Sequence, residues 1–102
     1  MRELVIPPEV FESDEAGEFI RFWIAGGRPH ISLYVGGMDD EEVRQWGMML
    51  ADITAHAIRA LRQNGSPLSE SELLAQIEQG YLSRLKDELV DHSGSLIGSA
   101  KN

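Results

Sequence analysis

Two runs of alternating apolar residues flank a Gly-Gly pair in Phe19 to Val35, FIRFWIAGGRPHISLYV, and this pattern constrains the chain more than any other segment. Ile20, Phe22 and Ile24 alternate with Phe19, Arg21 and Trp23, and past the glycines Ile31, Leu33 and Val35 alternate with His30, Ser32 and Tyr34. Period two belongs to a strand, because successive side chains of an extended chain point to opposite faces. Gly26-Gly27 supplies the positive φ angles that a two-residue type I′ turn requires, so the segment reads as one antiparallel hairpin. That turn pairs Phe22 with Ile31, Ile20 with Leu33, Trp23 with His30 and Phe19 with Tyr34. A four-residue loop from Gly26 to Pro29 would keep Pro29 out of the ladder and shift the register by a pair, while leaving every residue on the same face.

Upstream, Leu4-Val5-Ile6 is an optional third strand, confined to an edge because Pro7 and Pro8 lack the amide hydrogens a ladder needs. The acidic stretch ESDEAG, Glu12 to Gly17, suits a solvated loop. Downstream, Met38-Asp39-Asp40-Glu41-Glu42-Val43 opens a helix, with Asp39 as cap, Glu42 reaching back, and Met38 and Val43 as a hydrophobic staple. Val43, Trp46, Leu50, Ile53, Ala57 and Leu61 recur at threes and fours as a core-facing stripe, ended by Asn64-Gly65. The same grammar repeats with Ser69 as cap, Glu72 completing a capping box and Leu68 stapling Leu73. Leu74, Ile77, Tyr81, Leu85 and Leu89 then carry a second stripe to about Val90. Gly80 interrupts it at a cost of about 1 kcal/mol against Ala, which predicts close packing of another backbone there. The short connection makes the two helices antiparallel neighbours.

The fold class is therefore α+β: an antiparallel hairpin, with or without the N-terminal edge strand, packed against two antiparallel helices. The expected organisation is a single domain over residues 1–91 and a flexible C-terminal tail over 92–102, where HSGSLIGSAKN is small and polar except for Leu96 and Ile97. At 102 residues such a domain can own a modest core.

Composition narrows function by exclusion. Nine basic residues against 17 acidic ones give a net charge of −8, which repels phosphate backbones and anionic lipid, so neither nucleic acid nor membrane is an expected partner. Without cysteine there is no disulfide framework, thiolate nucleophile or cysteine metal site. The N-terminus is too short in apolar residues for a signal peptide, and no apolar run approaches the roughly 20 residues that span a bilayer. A soluble, cytoplasmic protein in a reducing compartment is expected.

FWIAGG followed by HISL, and then WGMMLADITAHAIRAL, resemble the two signature blocks of a small bacterial family, domain of unknown function 5076. In that family a tryptophan-bearing strand, a Gly-rich turn and a His-bearing strand lead to a helix beginning around Trp-Gly and running through Leu-Ala-Asp to a His. The matching positions are Trp23, Gly26, Gly27 and His30, then Trp46, Gly47, Leu50, Ala51, Asp52 and His56. The resemblance supports the architecture, covers the second helix more weakly and the tail not at all, and brings no activity, cofactor or catalytic residue.

The hairpin's second face holds Phe19, Arg21, Trp23, His30, Ser32 and Tyr34, too aromatic to be meant for water alone. If the helices cover the Ile20-Phe22-Ile24 face, something else must cover Trp23. A second copy of the chain is the first expectation, since aromatics with Arg make interface anchors. Cover by the tail or the N-terminal segment comes second. A small-ligand platform comes third, with Trp23 and Tyr34 stacking a planar group and Arg21 gripping a carboxylate or phosphate.

Asp52 and His56 lie four apart on one helical face, where a carboxylate can orient an imidazole for acid–base work or help bind a metal. One His and one carboxylate are too few ligands, and a helix-surface hydrogen bond is the commoner role. The run Asp39 to Glu42 matches no cation loop and is favoured by the helix macrodipole. Gly26-Gly27 opens no helix and so is no phosphate loop. No Gly-x-Ser-x-Gly elbow is present. No cofactor, metal or catalytic residue is expected; the reading is a non-enzymatic module acting through homodimerisation and protein association, with small-molecule binding on the same face as the alternative.

Overall fold

The computed structural model describes residues 3–93, of which 90–93 are described by their backbone only. The chain divides into two compact units, Met1–Glu42 and Val43–Asn102. The elements are a short helix α1 (Pro8–Phe11), strands β1 (Ile20–Ala25) and β2 (Arg28–Leu33), and two long helices α2 (Glu42–Gln63) and α3 (Glu70–Ser93). This is the expected α+β class, with three helices, two of them long.

In the first unit β1 and β2 form an antiparallel two-stranded sheet in which Ile20 faces Leu33, Phe22 faces Ile31, Trp23 faces His30 and Ile24 faces Pro29. Gly26 and Gly27 hold φ of 61° and 74°, so the two-residue turn forms and the four-residue alternative does not. The Tyr34 amide donates to the Phe19 carbonyl at 3.0 Å, extending the ladder by one pair. Hydrogen-bonded and non-bonded pairs alternate in such a ladder. Pro29 therefore falls in a non-bonded pair and turns its ring nitrogen to the outer edge, where no donor is needed. Phe22 and Ile31 fall in a non-bonded pair as well, where side chains approach most closely.

Leu4 to Ile6 do not form the optional third strand. Pro7, at φ −56° and ψ 138°, instead precedes α1, and Pro8 opens that helix at the position where a missing amide hydrogen costs nothing.

The start of α2 is fixed by side chains. The Glu41 amide donates to Asp39 Oδ1 at 3.0 Å, the expected cap. The Glu42 carboxylate reaches further back than a capping box, accepting from the Gly36 amide at 3.0 and 2.9 Å and from the Met38 amide at 3.3 Å.

In the second unit α2 ends in a Schellman motif, with the Ser66 amide donating to the Leu61 carbonyl and the Gly65 amide to that of Arg62, both at 3.0 Å, and Gly65 at φ 100°. The capping box of α3 forms as read: the Glu72 amide donates to Ser69 Oγ at 3.1 Å and the Ser69 amide to Glu72 Oε1 at 2.8 Å. The helix runs past Val90 to Ser93, so His92 and Ser93 belong to it, and the rest of the expected tail, residues 94–102, lies outside the described residues.

The apolar stripes differ from expectation in detail. Ile58 and Leu73 are the buried hydrophobics among the described residues, while Val43 is 88% exposed. The α2 sequence carries two overlapping apolar rows, and the one turned to α3 runs through Leu50, Thr54 and Ile58 rather than from Val43 through Ile53. Gly80 is not packed against a backbone, since a Cβ there would meet open space. No helix among the described residues is long and apolar enough to cross a membrane.

Candidate functional site

The hairpin's aromatic face is built from alternate positions of β1 and β2, so the register alone gathers Trp23, His30, Arg21 and Ser32 on it, with Phe19 and Tyr34 at its open end. Phe19 and Trp23 are half-buried, and Arg21, His30, Ser32 and Tyr34 are exposed. The Phe19 and Tyr34 rings sit 5.6 Å apart at 46°, a favourable tilted pair. Tyr34 also lies over Gly37, where an added Cβ would collide with its ring.

Arg21 is already engaged. Its Nε donates to Glu18 Oε2 at 2.9 Å and its Nη1 stands 3.6 Å from Glu3 Oε2. The Glu18 hydrogen bond, then the Glu18 charge, outweigh a small desolvation effect, and with Glu3 hold the guanidinium pKa above its ordinary value. An anionic ligand here must displace a carboxylate. A shallow depression of about 200 Å³ lies beside it, lined by Glu18, Arg21, Ser32 and Tyr34 among others. His30 Nε2 lies 3.3 Å from the Ala25 carbonyl, tying the imidazole to the end of the turn.

The opposite, aliphatic face is the more exposed of the two. Phe22, Ile24, Ile31 and Leu33 are each more than half open to solvent, at 58%, 64%, 55% and 55%. The sequence reading gives this face first claim on cover, and these exposures make it the larger apolar surface of the hairpin.

Asp52 and His56 do meet, but through the main chain. His56 Nδ1 lies 2.9 Å from the Asp52 carbonyl oxygen, the geometry of a helix-surface bond, and both residues are exposed. With Nδ1 as donor, the neutral imidazole carries its acceptor on Nε2, and the Asp52 carboxylate is not what orients the ring. No group of three or more His, Cys, Asp or Glu among the described residues could hold a metal ion.

One feature escaped the sequence reading. An apolar groove of about 460 Å³ runs between α2 and α3, walled by Leu50, Ile58, Ile77 and Tyr81 over a floor that includes Ala51 and Ala55. The signal was present: Gly47, Ala51 and Ala55 recur every four residues, a row of small side chains on one helical face that leaves space beside it. Gly47 borders the groove and contacts nothing at its Cβ position.

The molecule is thus a small α+β chain carrying an exposed hairpin and an open groove between its two long helices. It belongs to the family described as Domain of unknown function (DUF5076), whose model matches residues 3–88, which takes in the hairpin, α2 and most of α3. Its fold is similar to a solved structure from the photosynthetic bacterium Rhodopseudomonas palustrus CGA009, described as "a putative pyruvate dehydrogenase", at 28% identity and a TM-score of 0.67 over 83% of each chain. No curated protein matches the chain.

Proposed function

We propose that this protein is a non-enzymatic association module that works as a homodimer and through protein contacts, with the hairpin as its contact element. The observation that carries this reading is the exposed aliphatic face of a sheet that has only two strands among the described residues. A two-stranded hairpin is marginal in water, and full burial of a large apolar side chain is worth about 1.5–3 kcal/mol, so covering the exposed half of Phe22, Ile24, Ile31 and Leu33 stabilises an association. The aromatic face, with Trp23, Arg21, His30 and Tyr34, is the second contact surface. We place the module in a bacterial cytoplasm, a reading supported by the lack of cysteine and the bacterial source of the structural neighbour.

Native mass spectrometry of the untagged protein tests the reading: a two-chain mass is expected, and a bare one-chain mass at tens of micromolar sinks it. Trp23→Glu and Ile31→Glu then separate the two faces, because the contact that holds the dimer gives folded monomers when charged.

A second reading, capture of a small planar anion, has the depression beside Arg21 and Tyr34 in its favour and the Glu18–Arg21 pair against it. A thermal-shift screen of carboxylates, including the pyruvate named for the structural neighbour, tests it. A melting temperature that rises with ligand and no longer does so in Arg21→Gln supports capture; no shift across the screen rejects it.

A further inference from the structure

We propose that Asn64-Gly65 is a modification site of this chain, a deamidation point that the stop of α2 holds shut and that reacts only when that turn opens. The residues concerned all lie within the second unit, and the homodimer plays no part. Gly65 stands at φ 100°, in the left-handed region where a side chain is strained, while a Cβ at that position would meet open space. The glycine is thus demanded by the backbone conformation of the helix stop and not by a tight neighbour. The same demand leaves an asparagine followed by a residue without a side chain, the pairing in which the next amide nitrogen reaches the carboxamide with least hindrance. The sequence holds one Asn-Gly pair, so a change there reports on this turn alone.

Deamidation begins when the Gly65 nitrogen, having given its proton to solvent base, attacks Asn64 Cγ. The new N–C bond forms, the Cγ–Nδ2 bond breaks, and ammonia leaves with a proton returned from solvent, so that a succinimide remains. Water then opens either imide carbonyl to give aspartate or isoaspartate; in sum one water is taken up and one ammonia released, with no change of oxidation state. In the folded chain the attacking nitrogen is engaged. The Gly65 amide donates to the Arg62 carbonyl and the Ser66 amide to that of Leu61, both at 3.0 Å, and the Asn64 amide donates to the Ala60 carbonyl at 2.9 Å. These bonds keep Asn64 at the end of the last helical turn and the Gly65 hydrogen away from base, so reaction waits for the turn to break. A turn that has reacted closes poorly. The new carboxylate lies at the negative pole of the α2 dipole, and isoaspartate adds a methylene to the main chain between the bonded groups. Product at Asn64 therefore accumulates as a record of how often the end of α2 opens.

To test this, the full chain is incubated in mildly alkaline buffer, folded or in concentrated urea. The peptide carrying Asn64 is followed by mass spectrometry, and an isoaspartate-specific methyltransferase scores the product. Deamidation in urea should run at least about tenfold faster than in the folded protein, and hydrogen exchange of the Gly65 and Ser66 amides in the folded protein should show protection of similar size. Equal rates in the two conditions, or protected amides beside an unslowed reaction, overturn the gate. No product at Asn64 in urea overturns the site itself. Ser66→Pro removes the amide that bonds Leu61 while keeping the Asn-Gly pair, so its rate in buffer should rise several-fold toward the rate in urea. A Ser66→Pro chain that is helical by circular dichroism and deamidates as slowly as wild type overturns the gate. Should that variant not fold, the match between hydrogen exchange and deamidation in the wild-type chain decides in its place.

Discussion

Tyr34 shows how one side chain ties a strand to the loop that follows it. Its ring is held by Phe19 on one side and by the bare backbone of Gly37 on the other, so Gly37 is required by space even though its φ is unexceptional. Gly37→Ala should push the ring off Phe19 and cost about 1 kcal/mol, the worth of such an aromatic pair. Urea unfolding measures the loss, and in a Tyr34→Ala background the same substitution should cost almost nothing. Arg21 is the contrasting case. Its pair with Glu18 is exposed and screened by solvent, so Arg21→Gln should leave the unfolding midpoint nearly unchanged. The facing of these residues could be read from alternation alone. What alternation could not show is that Arg21 is occupied by Glu18, since that depends on where a loop carboxylate comes to rest.

At the level of elements, both long helices are delimited by side-chain chemistry that is local and therefore legible. Ser69→Ala removes the hydroxyl that caps α3 and should destabilise the protein by about 1 kcal/mol. The backbone amide of Ser69, and then its hydroxyl, hold the Glu72 carboxyl below its ordinary value, with desolvation opposing weakly. A carboxyl depressed in the folded state stabilises the fold at pH above its unfolded value and loses that contribution as pH falls through the folded one. Stability measured from neutral pH into the acid range should therefore fall less steeply in Glu72→Gln than in wild type. Gly65→Ala, at φ 100°, should cost about 1 kcal/mol by placing a Cβ in the left-handed region. The misread parts of the helices have a common cause. Val43 and Ile53 satisfy the three-and-four spacing as well as Ile58 does, and only the neighbouring helix decides which row is turned inward. Gly80 is a similar case: its cost in a helix implies a packing role, and its Cβ position faces open space.

For the whole molecule the governing quantities are exposed apolar area and charge. A chain with a net charge of −8 repels its own copy, so raising salt from low to physiological ionic strength should tighten self-association. Analytical ultracentrifugation would show this as a lower dissociation constant, and an increase instead would mean that attractive ion pairs dominate the contact. Ile31→Glu should weaken association by at least tenfold, because it drives a carboxylate into the apolar contact, and its far-ultraviolet spectrum should stay that of wild type.

The hairpin and its register, the two caps, the glycine stop of α2 and the α+β class were determined by the sequence by itself, because each depends on neighbours within a few residues or on a two-residue turn that fixes every later pair. Tertiary structure decided the rest: that Leu4 to Ile6 stay out of the sheet, and that the row through Thr54 and Ile58, not the one through Val43 and Ile53, is turned inward on α2. Those outcomes depend on groups distant in the chain competing for the same surface, and periodicity carries no information about which of them wins.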